Sequence, residues 1–453
     1  MELAKGNWVG YATVFYHEKT GKYGTQINDV IDYSTLEIDR QGLAAYLDFG
    51  YSVFGQTPVK HVKYLLPYQS LRFEDGKLRV VEGEDLTLAK LGGKSTEKDV
   101  FSRLEKDVNS WADGFDSDII VPTSGGFDSR LLNFLVKDKS KIHAYTYGTS
   151  ANQSDSREVV YAKLLCKRLG IDWKRIDLGQ FNHFEKDWYA IFGPSVGATG
   201  TYQMEFYTKI QEELGSQKPH LLSGIIGDAW AGSVRVSPIL DAMDYLKLGY
   251  THGMNANSKD AMDVDYLPLV EPIFDRQKDA LKDDKFRVVS AMRTKMMMLQ
   301  YLISVPETFG YEGYSPFINE DIAMSMLNLP EERKQQRQWQ RDFFRKNNIL
   351  FEEEKHTFTY QNSLNFFTLL NERLEPLDTS LLKEYIKPAY LEWINQKITQ
   401  IGTAERLFQT LMHTPKVKGV MKMMGFKNNL INAYFAYVTL KPIERLLKIR
   451  ENS

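Results

Sequence analysis

Between residues 118 and 135 the chain changes its hydrophobic period. Ile119-Ile120-Val121 is an unbroken apolar, β-branched run, the pattern of a strand covered on both faces. Leu131, Leu132 and Leu135 then recur at helical spacing. Between them, Pro122-Thr123-Ser124-Gly125-Gly126-Phe127-Asp128-Ser129-Arg130 reads as a Gly-rich turn and the first turn of a helix. The alternation continues downstream. Ile142–Gly148 predicts a second strand. Glu158–Leu169 predicts a helix, with Val159, Ala162, Leu165, Cys166 and Leu169 on one face and Gly170 as its stop. Trp173–Leu178 and His220–Leu222 predict a third and a fourth strand. Strands alternating with helices imply an α/β fold with a doubly wound parallel sheet, and ligands at the carboxyl ends of its strands.

The flanks are patterned differently. Residues 1–95 form a small β-rich unit, with a strand expected over Trp8–Tyr16 and a turn at Thr20-Gly21. Leu43–Tyr51 follows, then an apolar-Pro turn at Val62–Pro67. A hairpin is expected around Asp75-Gly76 within Leu71–Val80. Residues 96–359 hold the α/β unit, entered through a helix with Val100, Leu104, Val108 and Trp111 on one stripe. From about Ala261 onward the pattern is mostly helical, and 360–453 is a helical C-terminal extension.

Composition narrows the class. The chain has 453 residues, room for more than one core, and 57 lysines and arginines nearly cancel 59 aspartates and glutamates. That balance gives no whole-chain signal for nucleic acid. No stretch is apolar enough to span a membrane, so no membrane partner is expected and the cytoplasm is the expected location. The one cysteine, Cys166, rules out an internal disulfide framework and a cysteine-rich metal site. On its apolar helical stripe it reads as a packed small hydrophobe. His143 reads as a strand-edge histidine and Met296-Met297-Met298 as helix core. Lys416, Lys418, Lys422 and Lys427 form a basic helical patch.

The turn at Ser124–Ser129 carries the chemistry. Gly125 and Gly126 let backbone approach a ligand, and a strand–turn–helix junction aims N–H groups and a helix dipole at one point, suiting phosphate. No Lys-Ser/Thr pair follows the second glycine, as the Walker A pattern requires, and the dinucleotide G-x-G fingerprint is missing. Ser124-Gly125-Gly126-Phe127-Asp128-Ser129 instead resembles the pyrophosphate loop of ATP pyrophosphatases. Three further stretches follow in order: Leu222-Ser223-Gly224-Ile225-Ile226-Gly227-Asp228-Ala229-Trp230-Ala231-Gly232, Glu312-Gly313-Tyr314-Ser315-Pro316-Phe317-Ile318-Asn319, and Glu354-Lys355-His356-Thr357-Phe358. Together the four motifs resemble those of asparagine synthetases and β-lactam synthetases. The order of elements in the N-terminal unit is similar to the tail of that family's glutaminase domain. Glu2 stands where that domain has its nucleophilic cysteine, and the unit is too short for the whole glutaminase.

The resemblance implies an adenine nucleotide alpha hydrolase-like fold and an AMP-forming reaction. ATP would be held by Ser124, Ser129 and the amides of Gly125, Gly126 and Phe127, with Thr146, Gly148 and Gly227 as further nucleotide-contacting positions. Asp128 and Asp228, each beyond a strand end, would hold Mg²⁺ bridging the phosphates. Lys355 matches the family's catalytic lysine, a fixed cation for developing phosphoryl charge. The expected partners are a small-molecule or peptide carboxylate and an amine; oligomeric state stays open.

Departures mark the acceptor side. Ile225 replaces an acid that serves the nitrogen nucleophile, and an apolar side chain cannot take a proton. Ala229 replaces a glutamate, Tyr314 an arginine and Asn319 an aspartate. The leading expectation is therefore an ATP-dependent, AMP-forming ligase that makes an amide without its own glutaminase. The alternatives are asparagine formation itself and a nucleotide-binding regulator that has lost catalysis. RNA thiolation fits poorly with a single cysteine.

Overall fold

The computed structural model describes residues 1–452 apart from 75, 360, 415, 416, 418–422 and 424–426. Eleven strands occur among the described residues: β1 (Glu2–Lys5), β2 (Phe15–His17), β3 (Tyr23–Gly24), β4 (Val62–Tyr64), β5 (Gln69–Glu74), β6 (Lys77–Glu82), β7 (Ile119–Pro122), β8 (Ile142–Thr146), β9 (Asp172–Arg175), β10 (His220–Leu222) and β11 (Glu312–Tyr314). They form two small antiparallel sheets, β1-β5-β6 and β3-β2-β4, and one five-stranded sheet in the order β11-β10-β7-β8-β9. Every pairing in the larger sheet is parallel. The fold is thus mixed α/β with a parallel sheet, a small antiparallel N-terminal region and many helices.

The parallel sheet follows from the apolar runs. Ile119, Ile120 and Val121 are at most 1 % exposed, the burial that an unbroken apolar run at the centre of a parallel sheet calls for. β7 is central, and its carboxyl end feeds the helix Phe127–Leu135. The helix Arg157–Leu169 begins one residue before its expected start and ends at Gly170 in the left-handed conformation, φ +69°. β8 and β9 are shorter than the apolar runs predicted. The fifth strand, β11, lies inside the third motif, where three residues are too few to show a period.

The N-terminal expectation needs one correction. Trp8–Tyr16 is not a continuous strand; only Phe15–His17 is. Gly10 (φ +85°) and Ala12 (φ +52°) break the run. Trp8 instead turns its ring to Trp230, centroids 5.7 Å apart, and its indole N–H donates to Ile318 O at 2.7 Å. The β5–β6 hairpin forms in register from Gln69↔Glu82 to Glu74↔Lys77, around a turn whose Asp75 lies outside the described residues. Arg40–Phe49 is a helix, capped by Asp39 through Gly42 N–H and closed by Gly50 at φ +77°.

The helical C-terminal region folds back on the N-terminal unit. The helix Asn429–Glu451 buries residues around most of its circumference. It meets Arg40–Phe49, where the Tyr46 hydroxyl donates to Thr439 O at 2.8 Å. Lys416, Lys418 and Lys422 lie outside the described residues, and Lys427 is exposed. No helix among the described residues is long and apolar enough to cross a membrane.

Candidate functional site

The Gly-rich turn sits at the carboxyl end of β7. Gly125 is left-handed, φ +65°, and a Cβ there would clash with Tyr161 Cβ and lie 2.8 Å from Ala162 N. Its missing side chain therefore lets the turn press against the helix Arg157–Leu169, not only against a ligand. Gly126 takes the N-cap position of Phe127–Leu135 with extended backbone and no side-chain cap. Its N–H points to Ser124 Oγ at 3.3 Å, and Ser124 is exposed. Ser129 is buried, its hydroxyl directed at Gly126 O at 3.4 Å. The exposed hydroxyl and the uncapped helix start leave an anion-accepting opening.

Asp128 and Asp228 lie in the first turns of the helices that follow the adjacent strands β7 and β10, close enough for the charge of one to act on the other. Asp128 keeps 18 % of its side chain exposed, yet its Oδ1 is inaccessible and accepts no hydrogen bond. Burial first, then the charge of Asp228, pushes the Asp128 carboxyl up to about 8, against the opposing pull of Arg337 and the Asp228 amide. The second turn is built around this carboxylate. A Cβ on Gly227 would come within 3.0 Å of Asp128 Cγ and 2.8 Å of the Phe317 ring; one on Gly224 would lie 3.3 Å from Asp128 Cβ. Between them Ile226 is left-handed, φ +56°, ψ +3°, and buried. A β-branched residue there costs on the order of 1–3 kcal/mol. The helix Gly227–Ala231 starts directly from this strained residue and carries Asp228, which is exposed.

No group of three or more His, Cys, Asp or Glu side chains able to hold a metal occurs among the described residues. Two interacting carboxylates, one with a buried oxygen lacking any donor, nevertheless fit a hard divalent cation that takes its remaining ligands from phosphate and water. Lys295, on the helix Asp284–Leu299, is half-buried and held below the usual lysine range by burial, with Asp228 opposing.

Basic side chains surround the turn. Arg130 is fully buried and donates from Nη1 to Ile349 O and from Nη2 to Gly125 O, at 2.9 and 2.7 Å. Both arms also meet Glu352, each at 2.9 Å. Arg337 Nη1 lies 3.8 Å from Asp128 Oδ1, and its guanidinium stands 4.3 Å from the Phe127 ring centroid. Arg341 approaches the same ring at 5.6 Å.

Glu352 is the second residue of a strap, residues 351–359, laid along the helix Arg157–Leu169. Phe358 packs on Tyr161 with centroids 5.5 Å apart, and Thr359 bridges to Ser156. Glu354 is held by Arg168 at 2.9 Å and by His356 at 3.1 Å. Lys355 is exposed on this strap.

The remaining expected residues take varied places. Thr146 is buried, its hydroxyl donating to Thr123 O and accepting from the Trp173 indole, and its carbonyl accepts from Ile176 N–H at 2.8 Å. Gly148 is closed in by Gln153 and Ser156, with Ser156 Oγ 2.6 Å from where a Cβ would stand. Tyr314 stacks on Trp111 and donates to Asp107, and Asn319 caps the helix Glu320–Leu327 through Asp321 N–H at 2.9 Å. Both side chains thus serve packing and capping. Ile225 is buried. His143 pairs with Asp172 at 2.9 Å, and Cys166 is buried.

Sequence reasoning assigned no role to Arg130, Arg337, Arg341 or Lys295. The i, i+4 arginines in Arg337-Gln338-Trp339-Gln340-Arg341 were a usable signal, since that spacing puts both on one helix face. Nothing in the linear pattern tied Glu352 to Arg130.

The family model for asparagine synthase matches residues 116–348, more than half of the 453, and the chain belongs to the asparagine synthase family. The match takes in the first three motifs and ends seven residues before Lys355. Among solved structures, the chain is similar to an NH3-dependent NAD synthetase from Campylobacter jejuni subsp. jejuni NCTC 11168 in complex with the nitrate ion. That likeness has 11 % identity and a TM-score of 0.25, covering 46 % of this chain and 95 % of the other. No curated protein matches the chain. Family membership supports an ATP-using, amide-forming ligase.

Proposed function

We propose that the protein is an ATP-dependent, AMP-forming ligase that activates a substrate carboxylate as an acyl-adenylate and forms an amide from it. The observation carrying this reading is the pairing of Asp128 and Asp228 at neighbouring parallel strand ends, over the Ser124–Ser129 turn. In the first step a carboxylate oxygen attacks the α phosphorus of ATP, the bond to the β-phosphate oxygen breaks, and pyrophosphate leaves. In the second an amine nitrogen attacks the acyl carbon, gives up a proton, and AMP leaves.

The turn amides and the Ser124 and Ser129 hydroxyls bind and orient the triphosphate. Thr146, Gly148 and Gly227 shape the nucleotide end through backbone. Asp128 and Asp228 would hold Mg²⁺, which when bound offsets the charge on the phosphate oxygens. Lys355, carried on the strap beside the turn, is the cation offered to the α phosphate.

Buried Ile225 offers the acceptor amine no base, so the amine's proton leaves to another group. That feature argues against simple asparagine formation; separately, Cys166, the chain's one cysteine, lies buried in a helix and offers no glutaminase nucleophile, which leaves ammonia or a substrate-borne amine as the nitrogen source.

The test is product analysis with ATP and a panel of carboxylates, with hydroxylamine added to trap acyl-adenylates. AMP, pyrophosphate and a hydroxamate are expected. ADP and phosphate as the main products would refute the reading, and nucleotide binding without turnover on any carboxylate would favour the regulator.

A further inference from the structure

Between the N-terminal unit and the helix Asp284–Leu299 lies a cavity of about 210 Å³, open to solvent on one side. Its walls are aromatic: Phe54, Tyr64 and Tyr68 come from the N-terminal unit, Tyr245 and Phe286 from the helical part. Phe54 and Tyr245 meet with ring centroids 6.2 Å apart, and the Arg293 guanidinium stands 5.4 and 5.8 Å from the Tyr68 and Phe286 centroids. No described lining residue belongs to the four motifs. The helix itself separates the cavity from the acid pair. Phe286 and Ser290 line the cavity, whereas Lys295, whose ammonium feels the charge of Asp228, follows Phe286 by about two and a half turns and so falls on the opposite face.

Among the described residues, every charged side chain of the wall is already matched. Arg276 pairs with Glu82 at 2.6 Å and Arg293 with Asp85 at 2.5 Å. Arg293 also donates to Trp8 O and Thr87 Oγ1, at 2.8 and 2.9 Å, which fixes it in place. A net anion or cation entering here would have to split one of these pairs. One polar group is left over. Ser290 is 1 % exposed, and its hydroxyl is buried with no hydrogen-bond partner among the described residues. The Tyr245 hydroxyl, by contrast, donates to Gln277 Oε1 at 3.1 Å. A dry, unpaired hydroxyl in a cavity wall carries a free-energy cost that a bound ligand can remove.

We propose that this cavity binds an uncharged, single-ring aromatic molecule bearing a hydroxyl or similar small polar group, with that group paired to the Ser290 hydroxyl. An apolar cavity of about 150 Å³ is enough for one benzene ring. The volume found here therefore leaves room for the ring and its substituent. Five aromatic walls offer edge-to-face and offset contacts to a planar guest, and the balanced charges select against ions. The junction between two structural units is also a usual place for a small-molecule site. The site is distinct from the nucleotide site, and it stands whether or not the chain forms amides.

The test is a ligand-observed NMR titration of phenol, and of toluene as its near-isostere without the hydroxyl, into wild type, Ser290→Ala and Ala280→Phe. Both probes should bind wild type at one saturable site. Ser290→Ala removes the hydroxyl but no hydrogen bond of the fold, so its melting temperature should not fall. It should weaken phenol roughly three- to tenfold, the scale of one hydrogen bond, and leave toluene unchanged. Ala280→Phe adds a ring to the wall and should weaken both probes. Benzoate and benzylammonium should bind at least about tenfold more weakly than phenol, since each carries an unmatched charge into the cavity. MgATP should not displace phenol. No binding of either probe at millimolar concentration, equal phenol affinity in wild type and both variants, or displacement by MgATP would overturn the proposal. A loss in Ser290→Ala shared equally by toluene would overturn the role of the hydroxyl, and benzoate or benzylammonium binding more tightly than phenol would overturn the ligand class.

Discussion

Arg130 and Glu352 form a two-armed ion pair, both nitrogens 2.9 Å from the two carboxylate oxygens, with the arginine fully buried. The same guanidinium holds Gly125 O, so one residue ties the turn to the strap that carries Lys355. Phe127, Phe344 and Phe351 pack around it at 4.8–5.2 Å, which removes water from the charge.

Breaking this pair should be costly. Glu352→Gln leaves a buried guanidinium without its counter-charge, a change worth roughly 3–5 kcal/mol. Arg130→Lys should rescue little, because an ammonium cannot serve Gly125, Ile349 and both carboxylate oxygens together. Urea denaturation of Glu352→Gln and Arg130→Lys checks both. Stability within about 1 kcal/mol of wild type, the range of an exposed pair, would show that the tether is a surface contact.

The acid pair predicts a pH dependence with a defined sign. The Asp128 carboxyl is raised to about 8 in the folded protein by burial and Asp228, above its unfolded value of 3.8. The folded state therefore binds more protons than the unfolded one between those limits. Metal-free stability should fall as pH rises across that window. Asp128→Asn should flatten the slope and raise metal-free stability near pH 8. The same variant, and Asp228→Asn, should lose the Mg²⁺-dependent part of ATP affinity. Melting curves across pH in chelator, and calorimetry with a non-hydrolysable ATP analogue, test the two halves separately. An unchanged slope in Asp128→Asn, or unchanged Mg²⁺ dependence in both variants, would remove the role assigned to the pair.

The parallel sheet was legible because its signal is local: Ile119-Ile120-Val121 names a buried strand by itself, and the glycines after it name a turn. The acid pair was legible for the same reason, each aspartate following a strand end. Trp8–Tyr16 misled because alternating apolar residues satisfy a strand period, while Trp8 is in fact paid for by a tertiary partner, Trp230. Arg130 was hidden because its meaning lies 222 residues away, in Glu352. The Ile226 strain was also invisible, since nothing in the residue type announces a left-handed backbone.

Glutamine should not be hydrolysed. The chain's single cysteine, Cys166, lies in the helix Arg157–Leu169, 1 % exposed, and burial with the nearby Asp172 charge pushes its thiol up to about 12. A nucleophile needs the thiolate, which is scarce there at neutral pH. Native protein should resist a maleimide probe at pH 7–8 and react once unfolded. Glutamate released from glutamine, at a rate lost in Cys166→Ala, would contradict this assignment.

Lys355 stands on the strap that Arg130 anchors through Glu352, while its neighbour Glu354 is occupied by Arg168 and His356. If it meets the α phosphate during adenylation, its charge acts chiefly in the transition state. Lys355→Ala should then lower turnover by roughly two to three orders of magnitude, the usual cost of removing one such electrostatic contact. ATP affinity should change far less, because the turn amides already hold the ground state. Lys355→Arg should rescue poorly, a planar fork being a bad substitute for a compact ammonium. Glu353→Gln is the control for a change of local charge alone: it frees one side of Arg345 on the outer face. Single-turnover pyrophosphate release separates the outcomes. A Lys355→Ala enzyme that keeps near-normal release would leave Lys355 an exposed surface lysine with no part in the phosphate chemistry.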